Sequence, residues 1–457
     1  MKNFSSLPAA IRGHARHQGM LRQSVKTAIF IIAISSVFAR AEGLFDSYSR
    51  ALRADPDYAA ARAIYDGDIR SRDLAAQAFL PSVNLSATRE TDTYKRRDLS
   101  SPVELNRTYE PTVLGLRLTQ PLFSKDRSGY KRENEIRAER AEWALAQARQ
   151  DLALRVVQTT FNYLLTLDQI TLAQAQAEAV QAQLTQLNAL LDSRSSTRTE
   201  VADARARFEL ARVQVKTAQS QLEVRKLEYL RITGEMPMPG LRPLNANPHL
   251  QNPEPFDPQP WIDAARERSF KVLMQRATVQ LADVGIERIK AGFYPSVSLI
   301  AGIQQANKPN YFTGTERTNT VSVQMNMSLF DGFNTLTQTS QAVSQAERAR
   351  FELQAAQHEV ATGTGQAYWG VVNGMEQIKA TEQAVAAADL ALEGTRLGIK
   401  ANVKTYTDEL NAVQLLYGAR RDLQKERYSY LMNRAQLQWS AGLSEDVLTQ
   451  LFVELSK

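Results

Sequence analysis

Two short signatures, Thr197-Arg198-Thr199-Glu200 and Thr405-Tyr406-Thr407-Asp408, recur 208 positions apart and hold the side chains best placed for chemistry. In each, a hydroxyl stands three residues before a carboxylate. That is the spacing of a helix-capping box, in which both groups satisfy orphan backbone N–H groups at a helix start. The plain role of Glu200 and Asp408 is therefore structural, as carboxylates near the positive end of a helix dipole. A second role opens if several chains bring these segments together on one axis, because rings of carboxylates select cations at a constriction. Other chemistry is poorly supplied. The sequence has no cysteine, so it forms no disulfide and carries no thiol nucleophile. Beyond the N-terminal segment only His249 and His358 remain, too few for a multi-histidine metal site in one protomer. No phosphate-cradling glycine loop, nucleophile elbow or metal-binding helix motif is found. The chain is thus not expected to be an enzyme; catalytic residues, metal ligands and cofactors are all expected to be absent.

The first 41 residues read as a secretory signal. Arg22 and Lys26 precede the apolar run Ala28 to Phe38, and Ala39-Arg40-Ala41 gives a small-x-small cleavage pattern. Met20 is an alternative start. The segment 1–41 holds six Lys and Arg residues and no acid, so removing them from the total of 55 leaves 49 bases against 49 acids. The remainder is formally neutral, and nucleic acid is not an expected partner. After the signal no apolar run reaches 18 residues, so any membrane crossing must use strands.

These signatures sit inside a doubled unit. Phe79-Leu80-Pro81-Ser82-Val83-Asn84-Leu85 returns as Phe293-Tyr294-Pro295-Ser296-Val297-Ser298-Leu299, and Leu122-Phe123 returns as Leu329-Phe330. Such self-similarity implies a pseudo-symmetric architecture. Each copy reads as helical segment, strand, loop, strand, and then a very long helical segment. Strands are expected at 82–89, 112–122, 296–304 and 321–329. Val83 and Leu85, Leu114, Leu116 and Leu118, Leu299 and Ile303, and Val321, Val323, Met325 and Met327 alternate with polar or small residues. Period-two alternation gives one apolar and one wet face. Lengths of about 9–11 residues suit tilted strands crossing a bilayer. The apolar sets are then candidates to face lipid. Phe79, Phe123, Phe293, Tyr294 and Phe330 bracket one end, and Tyr94, Tyr109, Tyr311 and Phe312 the other, like the interfacial girdles of membrane barrels. A soluble sandwich edge would show similar alternation. Segments 90–111 and 305–319 read as long polar loops.

The segments 125–191 and 333–397 contain no proline and are rich in Ala, Gln, Leu, Arg and Glu. A continuous helix of about 65 residues would be about 100 Å long, so these segments must form rods. Val180, Leu184, Leu187 and Leu191, and then Val201, Ala204, Phe208, Ala211, Val215, Ala218 and Leu222, step by three and four, as in a coiled-coil seam with small residues. Interruptions at 192–198 and 398–404 fold each rod into a hairpin. Gly363, Gly365, Gly370 and Gly374 fit either local bending or close helix contact. The segment 234–260 carries eight of the sixteen prolines and reads as an extended connector. The expected divisions are 1–41 signal, 42–233 first repeat, 234–260 connector and 261–457 second repeat.

The ordered set of these features resembles the TolC family of outer-membrane exit ducts of Gram-negative bacteria. It comprises the signal, the duplicated strand–loop–strand with its Pro-Ser-Val-x-Leu openings, the Gln120-Pro121-Leu122-Phe123 exit, and Asp408-Glu409-Leu410-Asn411-Ala412 leading to Leu416-Tyr417. The resemblance spans 42–457. Lack of a lipidation cysteine and the opening Gly43-Leu44-Phe45 through Asp55-Pro56 look more like the type I secretion branch than the lipid-anchored drug-pump ducts. It implies an α+β membrane protein in which four strands from each of three chains make one 12-stranded β-barrel, continued by a coiled-coil α-barrel into the periplasm. It implies a passive conduit in contact with outer-membrane lipid. The partners would be a periplasmic adaptor (membrane fusion) protein and an ATP-driven (ABC) or proton-driven inner-membrane transporter. Drug or metal efflux is the alternative within transport, and a periplasmic coiled-coil scaffold the alternative outside it. The family's two acidic constriction positions fall on Asp408 and Asn411, so one acid is kept and one is an amide, which implies weaker cation selectivity. Glu200 is the copy-one counterpart. The glycine usual in the tip turn falls on Asn402 in copy two and Arg194 in copy one; Lys404 and the caps Thr197 and Thr405 complete the tips.

Overall fold

The computed structural model describes residues 44–97, 104–193, 195–237, 241, 252–309 and 313–440. The expected signal, residues 238–240 and 242–251 of the proline-rich connector, and Arg194 lie outside the described residues.

Three helices open the chain: α1 (Leu44–Ala54), α2 (Pro56–Asp68) and α3 (Ser71–Gln77). Asp55 and Pro56 divide the first two. Asp55 caps α2 by accepting from the Tyr58 N–H, and Pro56 takes the first helical position, where a missing N–H costs nothing. Strands β1 (Ser82–Arg89) and β4 (Thr112–Phe123) pair antiparallel, β4 pairs β5 (Ser296–Pro309), and β5 pairs β6 (Thr313–Asn326). The sheet order is β1-β4-β5-β6.

The register puts the expected apolar sets on one face. Val83 stands opposite Leu118 and Leu85 opposite Leu116. Leu116 stands opposite Ile303, Leu299 opposite Val323, and Val297 opposite Met325. Directly opposed residues share a face, so this face is apolar across all four strands. Among the described residues of one protomer its outer parts are uncovered: Leu85 is 72% exposed, Val321 79% and Met325 66%.

Three expectations are corrected. The segment 90–111 is not an open loop; it carries a separate ribbon of β2 (Asp92–Arg97) and β3 (Glu104–Tyr109). The segment 305–319 is mostly strand, because β5 and β6 keep pairing up to Pro309 and Thr313. Finally, β6 ends at Asn326, opposite Ser296, so Met327 lies past the last ladder pair and is not a strand residue. Tyr311 and Phe312 fall outside the described residues, as do the side chains of Tyr94 and Tyr109.

The rods are α4 (Lys125–Asp192) with α5 (Arg198–Thr233), and α8 (Asn334–Lys400) with α9 (Tyr406–Ser440). With 68 residues α4 is about 100 Å long. Ahead of β5 come α6 (Pro258–Arg268) and α7 (Phe270–Lys290). The seam is as expected, with Val180, Leu187, Ala204, Ala211 and Ala218 all buried. Gly370 and Gly374 mark close contact with α9: a Cβ on Gly370 would lie 2.8 Å from Asn433, and one on Gly374 3.4 Å from Tyr430. Two apolar clusters result. A large one joins α1, α4, α5, α8 and α9 around Val156, Phe161, Tyr229, Tyr368, Ile378 and Tyr430. A smaller one lies toward the tips around Leu187, Ala204, Leu392, Leu410 and Val413.

The sheet-to-rod junctions differ between copies. Copy one carries β4 through Pro121 with a register shift, and α4 begins after the Ser124 cap. Copy two leaves the sheet at Asn326 and turns through Gly332 and Phe333, both at positive φ. The copy-one junction is clamped by Arg288 of α7, which bonds Asp126 at 3.0 Å and Glu133 at 2.5 Å. Gly129 gives it passage, since a Cβ there would sit 2.5 Å from Arg288 Cγ. Gly129→Ala should therefore destabilise by about 1–3 kcal/mol through overpacking; an unchanged denaturation midpoint would show that Arg288 moves aside freely.

Candidate functional site

The tips hold the capping boxes that the sequence implied. Thr197 accepts at Oγ1 from the Glu200 N–H at 3.2 Å, while the Thr197 N–H donates to Glu200 Oε2 at 2.9 Å. Ser196 and Thr197 hydroxyls add bonds to the same oxygen at 3.1 and 3.0 Å. In copy two the Thr405 N–H and Oγ1 each donate to Asp408 Oδ2 at 2.9 Å, and the Asp408 N–H returns to Thr405 Oγ1 at 3.2 Å. Backbone donation from Thr197 holds the Glu200 carboxyl below the ordinary carboxylate range. Asp408 is lowered likewise, by the Thr405 N–H first, then the Thr405 hydroxyl and the charge of Lys404. Hydrogen bonds to the ionised form stabilise it.

Asn402 adopts φ 58°, the left-handed turn conformation expected for it. The backbone N–H of Lys404 donates to the Gly398 carbonyl at 3.3 Å, closing the turn. Asp408 is half-buried and Asn411 exposed, and their i, i+3 spacing puts both on one face of α9. Glu409, Leu410, Ala412, Val413 and Leu416 are buried on the other side. Glu200 serves hairpin one and Asp408 hairpin two, each bonded within its own cap.

Sequence reasoning missed the cross-hairpin contacts. The Tyr428 hydroxyl donates to Asp168 Oδ2 at 2.9 Å and the Tyr417 hydroxyl to the Ala175 carbonyl at 3.2 Å. Gln186 Nε2 donates to the Tyr406 hydroxyl at 3.5 Å, and Gln150 Nε2 to the Trp439 carbonyl at 2.6 Å. Residues 406, 417, 428 and 439 are eleven apart, three helical turns at 3.67 residues per turn, so they form one stripe on α9. That spacing was available in the sequence. Burial raises the Asp168 carboxyl above its ordinary range, with the Tyr428 bond opposing. Arg396 Nε also pairs with the buried Glu409 at 2.9 Å, a contact between α8 and α9.

An apolar sheet face rooted on doubled helical rods defines a membrane-channel fold. Among the described residues no helix is long and apolar enough to cross a membrane. The chain belongs to the outer membrane efflux protein family, whose model matches residues 47–235 and 261–443, one match on each repeat. It is 29% identical over 422 residues to the alkaline protease secretion protein AprF of Pseudomonas aeruginosa, covering 90% of this chain and 87% of that one. It is 26% identical to the proteases secretion protein PrtF of Dickeya chrysanthemi (94% and 95% covered). It is 28% identical to the outer membrane protein TolC of Vibrio cholerae (89% and 92% covered). Among solved structures it is similar to CusC, with TM-score 0.76, 17% identity, and 88% and 92% of the chains covered. The fold class is therefore the expected one: four strands contributed to a barrel that long helical hairpins continue, in the outer membrane of a Gram-negative bacterium, as an export duct.

Proposed function

We propose that three copies of this chain close one barrel and form the outer exit duct of a type I protein secretion system, with Asp408 at the periplasmic constriction. The observation that carries this reading is the four-stranded sheet whose apolar face is largely exposed and whose outer strands β1 and β6, among the described residues, each pair on one side. Lipid cannot satisfy unpaired strand edges, so the edges must meet further copies. Two relatives of similar length are named for protease secretion, which favours polypeptide cargo over drug or metal efflux. A free-standing periplasmic scaffold would not need such a face. The conduit does no chemistry of its own. Energy comes from an inner-membrane ABC or proton-driven transporter, and a periplasmic adaptor opens the hairpins by binding their open arrangement more tightly. Residues 1–41 direct export, and 234–260 connect the repeats.

Reconstituted protein should give conductance steps in a planar bilayer, and Asp408→Ala should raise the current or relieve divalent-cation block. An unchanged trace would remove Asp408 from the constriction. The pH response follows from the depressed carboxyl of Asp408. A group whose folded pKa is lowered contributes above its unfolded value and is lost as pH falls through the folded value. The block should thus persist into the ordinary carboxylate range, near pH 4, and disappear only below it. Loss of block between pH 7 and 5 would mean that repulsion among the ring carboxylates outweighs the cap bonds, or that another group titrates; block absent from Asp408→Asn at pH 7 distinguishes the first from the second.

A further inference from the structure

We propose that Arg396 and Glu409 are the positioning pair that fixes which face of α9 is presented at the constriction. The functional consequence rests on the role proposed for Asp408; the geometry does not. Glu409 follows Asp408 directly and is turned about 100° from it on a helix of 3.6 residues per turn. Asp408, Asn411 and Leu415 share one side of α9, and Glu409, Ala412, Val413 and Leu416 share the other. When Glu409 points at α8, the stripe through Asp408 points away from it. Among the described residues the Asp408 carboxylate bonds backward, to Thr405, so its cap turns with the helix and does not orient it. Arg396–Glu409 crosses from just before the last turn of α8 to the first turn of α9.

The tip cluster is the smaller of the two, with Ala204, Ala388 and Ala412 standing beside Leu187, Leu392, Leu410, Val413 and Leu416. Apolar contacts carry no direction of their own, whereas a carboxylate whose side chain is 9% exposed must keep its cation within reach. Arg396, 54% exposed, reaches in from the rim. A buried charge is costly unless paired, and its best attested use is to fix registry. Neutralising Asp408 is not the function of Arg396: the cation that acts on Asp408 is Lys404. The pair lies wholly within hairpin two, so it sets the aim of the constriction and does not latch one hairpin to the other.

Because the chain has no cysteine, one introduced thiol reports on its own position. The test uses full-length protein in lipid vesicles carrying Asn411→Cys or Ala412→Cys, each with and without Arg396→Met, labelled by a small charged methanethiosulfonate. With Arg396 present, residue 411 should react at least about tenfold faster than 412, since protection follows local burial. Arg396→Met should bring the two rates together, and the charge swap of Arg396→Glu with Glu409→Arg should separate them again. If Arg396→Met does not reach the membrane, Glu409→Gln is read in the same way. A ratio that stays unchanged without the ion pair overturns the proposal. Divalent block, measured in parallel on Asp408→Asn, tests the constriction separately. Block that survives Asp408→Asn, with a labelling ratio that collapses in Arg396→Met, keeps the positioning pair and discards Asp408 as the gate.

Discussion

Arg155→Met is expected to lower the stability of the folded chain by about 3–5 kcal/mol, the usual cost of removing one partner from a buried ion pair. Its partner Asp55 is 2% exposed and receives both Arg155 Nη1 at 3.0 Å and Nη2 at 2.9 Å. Arg155 also reaches Asp57 Oδ2 at 2.9 Å. Asp55 caps α2 at the same time, accepting from the Tyr58 N–H at 2.7 Å. One guanidinium thus ties the break between α1 and α2 to the middle of the α4 rod. Ser47 of α1 makes a second tie, hydroxyl to hydroxyl with Tyr229 of α5 at 2.7 Å. Methionine fills most of the volume but leaves the Asp55 charge without its fork. The expected result is early protease cleavage within 44–77 and a lowered denaturation midpoint. Adding Asp55→Asn should recover part of the loss, because the amide keeps the cap and removes the stranded charge. A midpoint that stays put in Arg155→Met would mean that water reaches Asp55 and that the tie is dispensable.

The sequence disclosed those parts of the fold in which burial imposes a period. Val321, Val323 and Met325 alternate because one face of β6 is apolar, and the same rule located β1, β4 and the start of β5. Where strands leave the apolar band the rule falls silent. Asp92 to Arg97 and Thr313 to Thr320 are polar at nearly every position, yet both pair, because a ladder needs only backbone groups when water can reach both faces. Met327 shows the opposite error. It continues the alternation by one step, but Asn326 has taken the last partner in β5. Chemical pattern persisted where hydrogen bonding had stopped.

At the tips the legible part was local and the hidden part was not. Thr197 to Glu200 and Thr405 to Asp408 are three residues apart, so a capping box can be read directly. Arg396 and Glu409 are thirteen apart across a turn, and Asp168 and Tyr428 are 260 apart. Nothing in either neighbourhood distinguishes such side chains from ordinary solvated charges on a helix. The one residual signal is the eleven-residue spacing of Tyr406, Tyr417 and Tyr428. A heptad search passes over it, because the stripe follows a nearly straight helix and not a left-handed supercoil seam.

Val323→Arg carries the other large expected effect and tests the membrane assignment itself. Val323 is the middle of the three apolar residues of β6, stands opposite Leu299 and is 65% exposed in one protomer. An arginine on the lipid side of a barrel near the midplane costs about 2–4 kcal/mol. Gln324, its neighbour, stands opposite Ser298 on the polar face, the one that a lipid-facing Val323 would turn to the lumen. Adjacent residues in one strand point to opposite sides, so the two substitutions share backbone, depth and added charge and differ only in facing. In urea-driven folding into vesicles, Val323→Arg should shift the equilibrium by the amount stated and deplete the protein from the outer-membrane fraction. Gln324→Arg should do neither, and should alter ion selectivity instead. If both variants fold equally well, the sheet face carrying Val323 is not turned to lipid. If the penalties come out reversed, the barrel is closed with the opposite face outward, and Leu114, Leu116, Leu118 and Val321 line the lumen.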